Sequence, residues 1–378
     1  MPLRVMIIAG ESSGELYGAL LAKKLKEKWP DVFLLGVGGS KMETEGVELI
    51  AGITSAFGIF GAISSVKKLF GTYRKLTEIF KTKRVDVLVL IDFPDFNLFV
   101  AKAAKKYGIK VLYYVSPQVW AWRTGRIKKI AERSHIIAAI LPFEPEMYEK
   151  EGTDCEFVGH PAMEELLQHV SDAKSLKEEF SLNPDAPVLG IFPGSRDGEL
   201  KRHLPVIVDT IKAIKSAHSE FQFIIAVAPN LHIERYKALF TTLRALEVKF
   251  VAERSLDVLA VSDVALMKSG TAAFQAALMG IPLVVFYKMP AIEFRIAKII
   301  IDVSHINLAN LIMEREVVKE LIQDDATPAR ISAEILSLYE DSAKRESMTD
   351  DFKRLRALFE SKNPTDEVVK IIANLTGD

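Results

Sequence analysis

The chain has 378 residues, enough for two α/β domains rather than one core. Its 49 Lys+Arg against 50 Asp+Glu leave a net charge of −1, which argues against a general affinity for nucleic acid. The lone cysteine, Cys155, excludes an intrachain disulfide and fits a reducing compartment; seven scattered histidines show no ligand spacing, so no metal is expected.

Val5–Ala9 is an apolar run too short for a signal peptide and reads as a first strand, followed by Gly10-Glu11-Ser12-Ser13-Gly14 and a helix to about Trp29. Val32–Leu35, with a glycine-rich exit, Val85–Ile91, Val111–Val115 and Ile136–Leu141 continue an alternation of strand and helix, the pattern of a doubly wound parallel sheet. Gly10, Gly14 and Gly18 do not have the spacing of a dinucleotide fingerprint, so no nicotinamide or flavin cofactor is expected. After the turn-rich 182–187, Val188–Phe192, Phe223–Ala228, Val248–Val251, Val264–Met267 and Leu283–Phe286 form a second such series. The expectation is two Rossmann-like lobes facing a cleft: residues 1–164, residues 165–345, and C-terminal helices over 346–378 that pack back on their own chain or on a homodimer partner.

Mean hydropathy, +0.15, is high for a freely soluble enzyme. Two windows, 49–66 and 269–287, lack charge, but both contain glycine and hydroxyl residues, and neither reads as a transmembrane helix. The first window holds Phe57, Ile59 and Phe60 and runs into a helix with Val66, Leu69, Phe70, Tyr73, Leu76 and Phe80 at helical spacing. Lys67, Lys68, Arg74 and Lys75 accompany them. Such a helix either packs on the core with a solvated basic face or lies on an anionic bilayer.

Polar residues collect in loops after the strands, where ligands bind in open parallel sheets. Asp92 ends a strand otherwise made of valine, leucine and isoleucine, and partial desolvation there suits a proton acceptor. Asp95 reads as a helix N-cap or a cleft residue, with Asn97 beside it. Gly194, Ser195 and Arg196 open a helix where an arginine fork can hold a phosphate. Together with the turn Ser269-Gly270-Thr271 they form a two-loop diphosphate cradle, although Ser269 or Thr271 could equally serve as a cap. Trp120 and Trp122, beside Arg123, could floor a sugar or brace the cleft.

Eight stretches match one family almost end to end: I-A-G-E-S-S-G-E (8–15), I-D-F-P-D-F-N (91–97), Y-V-S-P-Q-V-W-A-W-R (114–123), L-P-F-E (141–144), F-V-G-H-P (157–161), P-G-S-R (193–196), S-G-T-A-A (269–273) and N-L-A-N-L (307–311). The chain resembles the lipid-A-disaccharide synthases, GT-B glycosyltransferases of the lipopolysaccharide pathway. The resemblance implies transfer of 2,3-diacylglucosamine from UDP to the 6-hydroxyl of 2,3-diacylglucosamine 1-phosphate, with inversion, no metal and no cofactor. It further implies a donor side made by Gly194, Ser195, Arg196, Ser269, Gly270, Thr271, Gln275 and Asn310. The acceptor side would comprise Ser12, Ser13, Asp95, Asn97, Trp120, Trp122 and Arg123. Asp92 would be the base, with Glu11 as its rival or an acceptor-orienting group. Gln275 stands where many GT-B lobes carry a ribose-gripping glutamate, and Ala309 stands where this family usually has proline. Substrates with several acyl chains favour the bilayer reading of 49–84, and hence a cytoplasmic protein attached peripherally to the inner membrane. A UDP-N-acetylglucosamine 2-epimerase or a non-catalytic sugar-nucleotide or lipid-binding protein would share the architecture but need no acceptor.

Overall fold

The computed structural model describes residues 2–10, 12–52, 62–82, 85–117, 124–228, 233–300 and 304–377. Seven strands form one sheet: β1 (Arg4–Ala9), β2 (Phe33–Gly38), β3 (Glu48–Gly52), β4 (Val87–Ile91), β5 (Lys110–Tyr114), β6 (Ile136–Ala139) and β7 (Asp154–Phe157). Six form the other: β8 (Val188–Phe192), β9 (Gln222–Val227), β10 (Lys249–Ala252), β11 (Val264–Lys268), β12 (Leu283–Tyr287) and β13 (Glu320–Ile322). Their orders are β3-β2-β1-β4-β5-β6-β7 and β10-β9-β8-β11-β12-β13, and all pairs are parallel. In each sheet the winding reverses beside its first strand, between β1 and β4 and between β8 and β11, which opens a crevice at the strands' carboxyl ends.

The central strands are apolar at every position because helices cover both faces: β4 (VLVLI) and β8 (VLGIF) are buried throughout. The edges differ. β3, β7 and β13 carry glutamate or aspartate, which is why hydrophobic pattern alone does not reveal them. The chain divides into two compact units, Met1–Pro161 with Ser361–Asp378, and Ala162–Glu360.

The segment expected as one tail from 346 is therefore split. The helix Ser342–Ala357 belongs to the second unit, where Phe352 and Leu355 are buried and Phe359 packs edge-on against Phe274, their ring centroids 5.4 Å apart. Only the last helix, Pro364–Thr376, joins the first unit, next to the helix Ser12–Lys28. There Val368, Ile371 and Ile372 are buried and Asp366 lies 3.5 Å from Lys24.

The helix Ala62–Lys81 is attached to the first core through Leu76 and Phe80, both fully buried, with Leu69, Tyr73 and Ile79 packed against that core. Leu69 thus leaves the expected lipid-facing stripe, because its side chain turns inward. Phe70 stays 62% exposed, and Lys68, Arg74 and Lys75 on the same helix are exposed too. Phe57, Ile59 and Phe60 lie outside the described residues, as do the side chains of Val66 and Lys67. Among the described residues no helix is long and apolar enough to cross a membrane.

Two glycines make opposite predictions. A Cβ on Gly36 in β2 would run into the Ile7 carbonyl, backbone that cannot retreat without tearing the sheet. Gly36→Ala should therefore cost about 2–3 kcal/mol or prevent folding. Gly71 has open space around it in a helix interior, so Gly71→Ala should add about 0.5–1 kcal/mol. Denaturant titration of both variants checks the pair.

Candidate functional site

In the first unit the chain leaves β4 through a strained turn. Asp92 and Phe93 both have φ of 49°, and Val115, just past β5, has φ of 59°, in a region costly for side-chain-bearing residues. Buried hydrogen bonds hold it there. The Asp92 amide donates to the Val115 carbonyl (3.1 Å), and the Asp92 carbonyl accepts from Asn97 Nδ2 (2.7 Å) and the Tyr113 hydroxyl (2.9 Å). Burial pushes the Tyr113 phenol well above its ordinary pKa, so it remains a donor at any ordinary pH. Asp92 itself is half-buried, with its main chain pinned and only its side-chain torsions left to aim the carboxylate. Gly10, at the exit of β1, is required because a Cβ there would overlap the Phe93 ring.

This geometry revises several expectations. Asn97 does not line a cleft: it is fully buried, and its amide is spent on the Asp92 main chain. Asp95 does not cap its helix, since Phe93 holds the N-cap position; it is exposed and pairs with Arg126 at 2.5 Å. Ser13 is exposed in the first turn of its helix, and Glu15 accepts from the Lys41 amide at 2.9 Å. Glu11, Trp120, Trp122 and Arg123 lie outside the described residues, as does the side chain of Ser12. His160 is buried and its pKa is depressed by that burial to about 3, so it stays neutral.

In the second unit, Gly194 has φ of 112° and leaves the space that the Glu199 carboxylate fills. Glu199 is 7% exposed at its side chain; its Oε2 accepts from the Arg196 amide (3.4 Å), and its Oε1 lies 3.4 Å from Lys268 Nζ. The Arg196 guanidinium is 63% exposed, and Ser195 is exposed beside it. Across the switch point, Lys268 ends β11 and Gly270 is the N-cap of the helix Thr271–Leu278, with no side-chain cap bond. Ser269 does not cap either: its hydroxyl donates to the Ile306 carbonyl at 2.7 Å. Thr271 is exposed. Two cations and a helix N-terminus thus gather where one buried carboxylate offsets part of the charge, an arrangement suited to a diphosphate.

Three buried side chains hold these loops. His203 accepts from the Lys288 amide at Nε2 (3.1 Å), so its Nδ1 carries the proton donated to the Pro193 carbonyl (2.7 Å). It ties the exits of β8 and β12 and packs on Phe286 at 4.8 Å. Asn310, expected on the donor, has all its valences used internally. Its Oδ1 accepts from the Val317 and Val318 amides, and its Nδ2 donates to the Val318 carbonyl and to Glu320, each at 2.8 Å. Glu320 in turn accepts from the Ile306 (2.9 Å) and Asn307 (3.0 Å) amides, fixing the segment that receives Ser269. Gln275 is buried and donates to Glu165 at 2.7 Å, which commits the amide nitrogen expected at the ribose.

Sequence reasoning missed Lys268 and His203. Lys268 carried the signal that singled out Asp92, a charge ending an apolar strand; His203 lies one turn beyond Glu199 on the buried face of its helix.

A cavity of about 390 Å³ adjoins the Ser269 turn, walled by Met289, Phe294, Ala297, Ile306 and Ile322, with Lys268, Ser269, Tyr287 and Glu320 around it. A larger concavity in the first unit, about 1360 Å³, opens at the amino ends of β1, β4 and β5 and holds none of the candidate residues. Among the described residues no cluster of His, Cys, Asp and Glu could hold a metal ion.

The family model for lipid-A-disaccharide synthetase matches residues 5–372. The chain belongs to this family. It is a glycosyltransferase of lipid A biosynthesis that forms the lipid A disaccharide. The lipid-A-disaccharide synthase of Geobacter metallireducens is 38% identical over 99% of this chain and 97% of its own length. That of Syntrophotalea carbinolica is 41% identical over 92% and 89%. Solved structures show the same fold at low identity. The UDP-GlcNAc 2-epimerase of Neisseria meningitidis, bound to UDP-GlcNAc, aligns with a TM-score of 0.69 at 13% identity, covering 98% of this chain and 100% of that one. Acinetobacter baumannii MurG aligns at 0.59 and 13%, covering 99% and 100%. The architecture is GT-B, and the likeness to epimerases concerns the fold alone.

The His203 tie predicts a pH dependence. Burial holds the imidazole below its ordinary pKa of 6.5, so an unfolded chain protonates first as pH falls. Stability from this residue is intact above 6.5 and declines as pH drops below it. His203→Gln should unfold about 1–3 kcal/mol more easily at neutral pH, and the gap to the parent should narrow towards pH ~5. Denaturation at several pH values measures both.

Proposed function

We propose that the two loop clusters serve the halves of one inverting transfer, in which a UDP-bound 2,3-diacylglucosamine passes to the 6-hydroxyl of 2,3-diacylglucosamine 1-phosphate. Asp92 takes the hydroxyl proton as the oxygen bonds to the anomeric carbon. The bond from that carbon to the diphosphate breaks, and its electron pair leaves on UDP. Arg196, Lys268 and the N-terminus of the helix Thr271–Leu278 stabilise the charge that develops there. The observation that supports this reading most is the clamp on Asp92. A strained turn held by two buried donors is costly to build, and it fixes the main chain from which one carboxylate projects at the sheet's switch point. Asn97 and Tyr113 act here through Asp92, as positioning residues.

Asp92→Asn should lower kcat by about 10²–10⁴-fold while UDP affinity measured by calorimetry is retained. An unchanged rate would remove Asp92 from the chemistry. Tyr113→Phe leaves the Asp92 carbonyl one donor short and should lower kcat less than Asp92→Asn does, with little change in KM.

The same reading extends to the membrane. The exposed Phe70 and Arg74 share a face of the helix Ala62–Lys81, with Lys68 and Lys75 exposed on its other flank, a basic surface with an apolar anchor suited to peripheral attachment at an anionic bilayer on the cytoplasmic side. Co-sedimentation with anionic vesicles should weaken with added salt and with Phe70→Glu. Equal sedimentation with neutral vesicles and with the variant would sink the idea.

A further inference from the structure

The cavity beside the Ser269 turn exposes more apolar than polar surface. Met289, Phe294, Ala297, Ile306 and Ile322 give it an apolar wall. Three of its polar neighbours are already engaged, and Tyr287, Lys298 and Ser304 complete the lining. The Ser269 hydroxyl is spent on the Ile306 carbonyl, Glu320 takes the Ile306 and Asn307 amides and Asn310, and Lys268 lies against Glu199. The five apolar side chains suit a hydrocarbon chain better than a nucleobase or a sugar, whose polar groups they would leave unpaired.

The position is equally specific. Lys268 and Ser269 belong both to the cavity and to the turn that opens the helix Thr271–Leu278. A glucosamine attached to a diphosphate on that turn brings its 2- and 3-substituents to the cavity's edge. Those substituents are acyl chains in the proposed donor, and a volume near 390 Å³ lies within the range of small-ligand sites.

We infer that this cavity is the subsite for one acyl chain of the donor and that its depth sets the preferred chain length. The inference rests on the synthase reading above and adds to it a place for the lipid. It makes Ala297 and Phe294 specificity-determining residues, since one is the smallest and the other the bulkiest group of the wall.

The test compares UDP release from two donors, UDP-glucosamine carrying tetradecanoyl chains and the same compound carrying butanoyl chains, with a common acceptor. Ala297→Phe fills the cavity and should lower the ratio of kcat/KM for long over short donor by about tenfold or more, the equivalent of withdrawing roughly two methylenes from an apolar wall. Phe294→Ala enlarges it and should move the same ratio in favour of the longer chain, which keeps the test open if the first variant does not fold. UDP affinity, measured separately, reports whether the diphosphate turn is intact. A ratio unmoved in both variants overturns the subsite, whatever their total activity. Failure of the underlying reading looks different: the parent enzyme would release UDP from neither donor, and the cavity would lose its occupant with it.

Discussion

Burial of both sheet faces is the constraint from which the rest follows. Strands such as VLVLI and VLGIF offer no position for a polar side chain, so the candidate chemistry gathers at strand ends and in the loops beyond them. Loops are poor holders of precise geometry. Here each functional loop is fastened by a buried polar side chain that spends its hydrogen bonds on that loop's backbone: Asn97 and Tyr113 on Asp92, His203 on Pro193 and Lys288, Asn310 through Glu320 on Ile306 and Asn307. A buried amide or imidazole is costly unless paired, and the bonds these side chains do make are the ones that fix the loops.

That economy explains what could be read from sequence and what could not. The central strands are legible because apolar runs mark them; the edge strands ELIAG, DCEF and ELI are not, because one side faces solvent and admits charge. Asp92 was legible from its place at a strand's end, and Lys268 was equally so. The direction of a side chain was not. Asn97 and Asn310 sit in motif-dense stretches and look like ligand contacts, yet both point inward at backbone. A pattern of residue types records that a polar group is needed there without recording whether the need is for substrate or for scaffold.

The electrostatics of the second unit follow the same division. Glu199 lies under the loop at 7% exposure, while Arg196 reaches out at 63%. The buried carboxylate lies within 4 Å of both cations, and the Arg196 guanidinium, paired with it, faces solvent. Solved structures at 13% identity share the GT-B architecture. Function therefore has to be argued from the loops and what holds them.

The last helix carries a consequence for how the protein is made. Val368, Ile371 and Ile372 bury against a unit whose sheet is encoded by the first part of the chain, so the earliest-synthesised half lacks part of its covering until the final residues emerge. The second unit, contiguous from Ala162 to Glu360, has all its own parts before then. Order of synthesis and order of completion are thus reversed. On the ribosome, an open apolar flank waits for its closing piece, a natural point for chaperone attention.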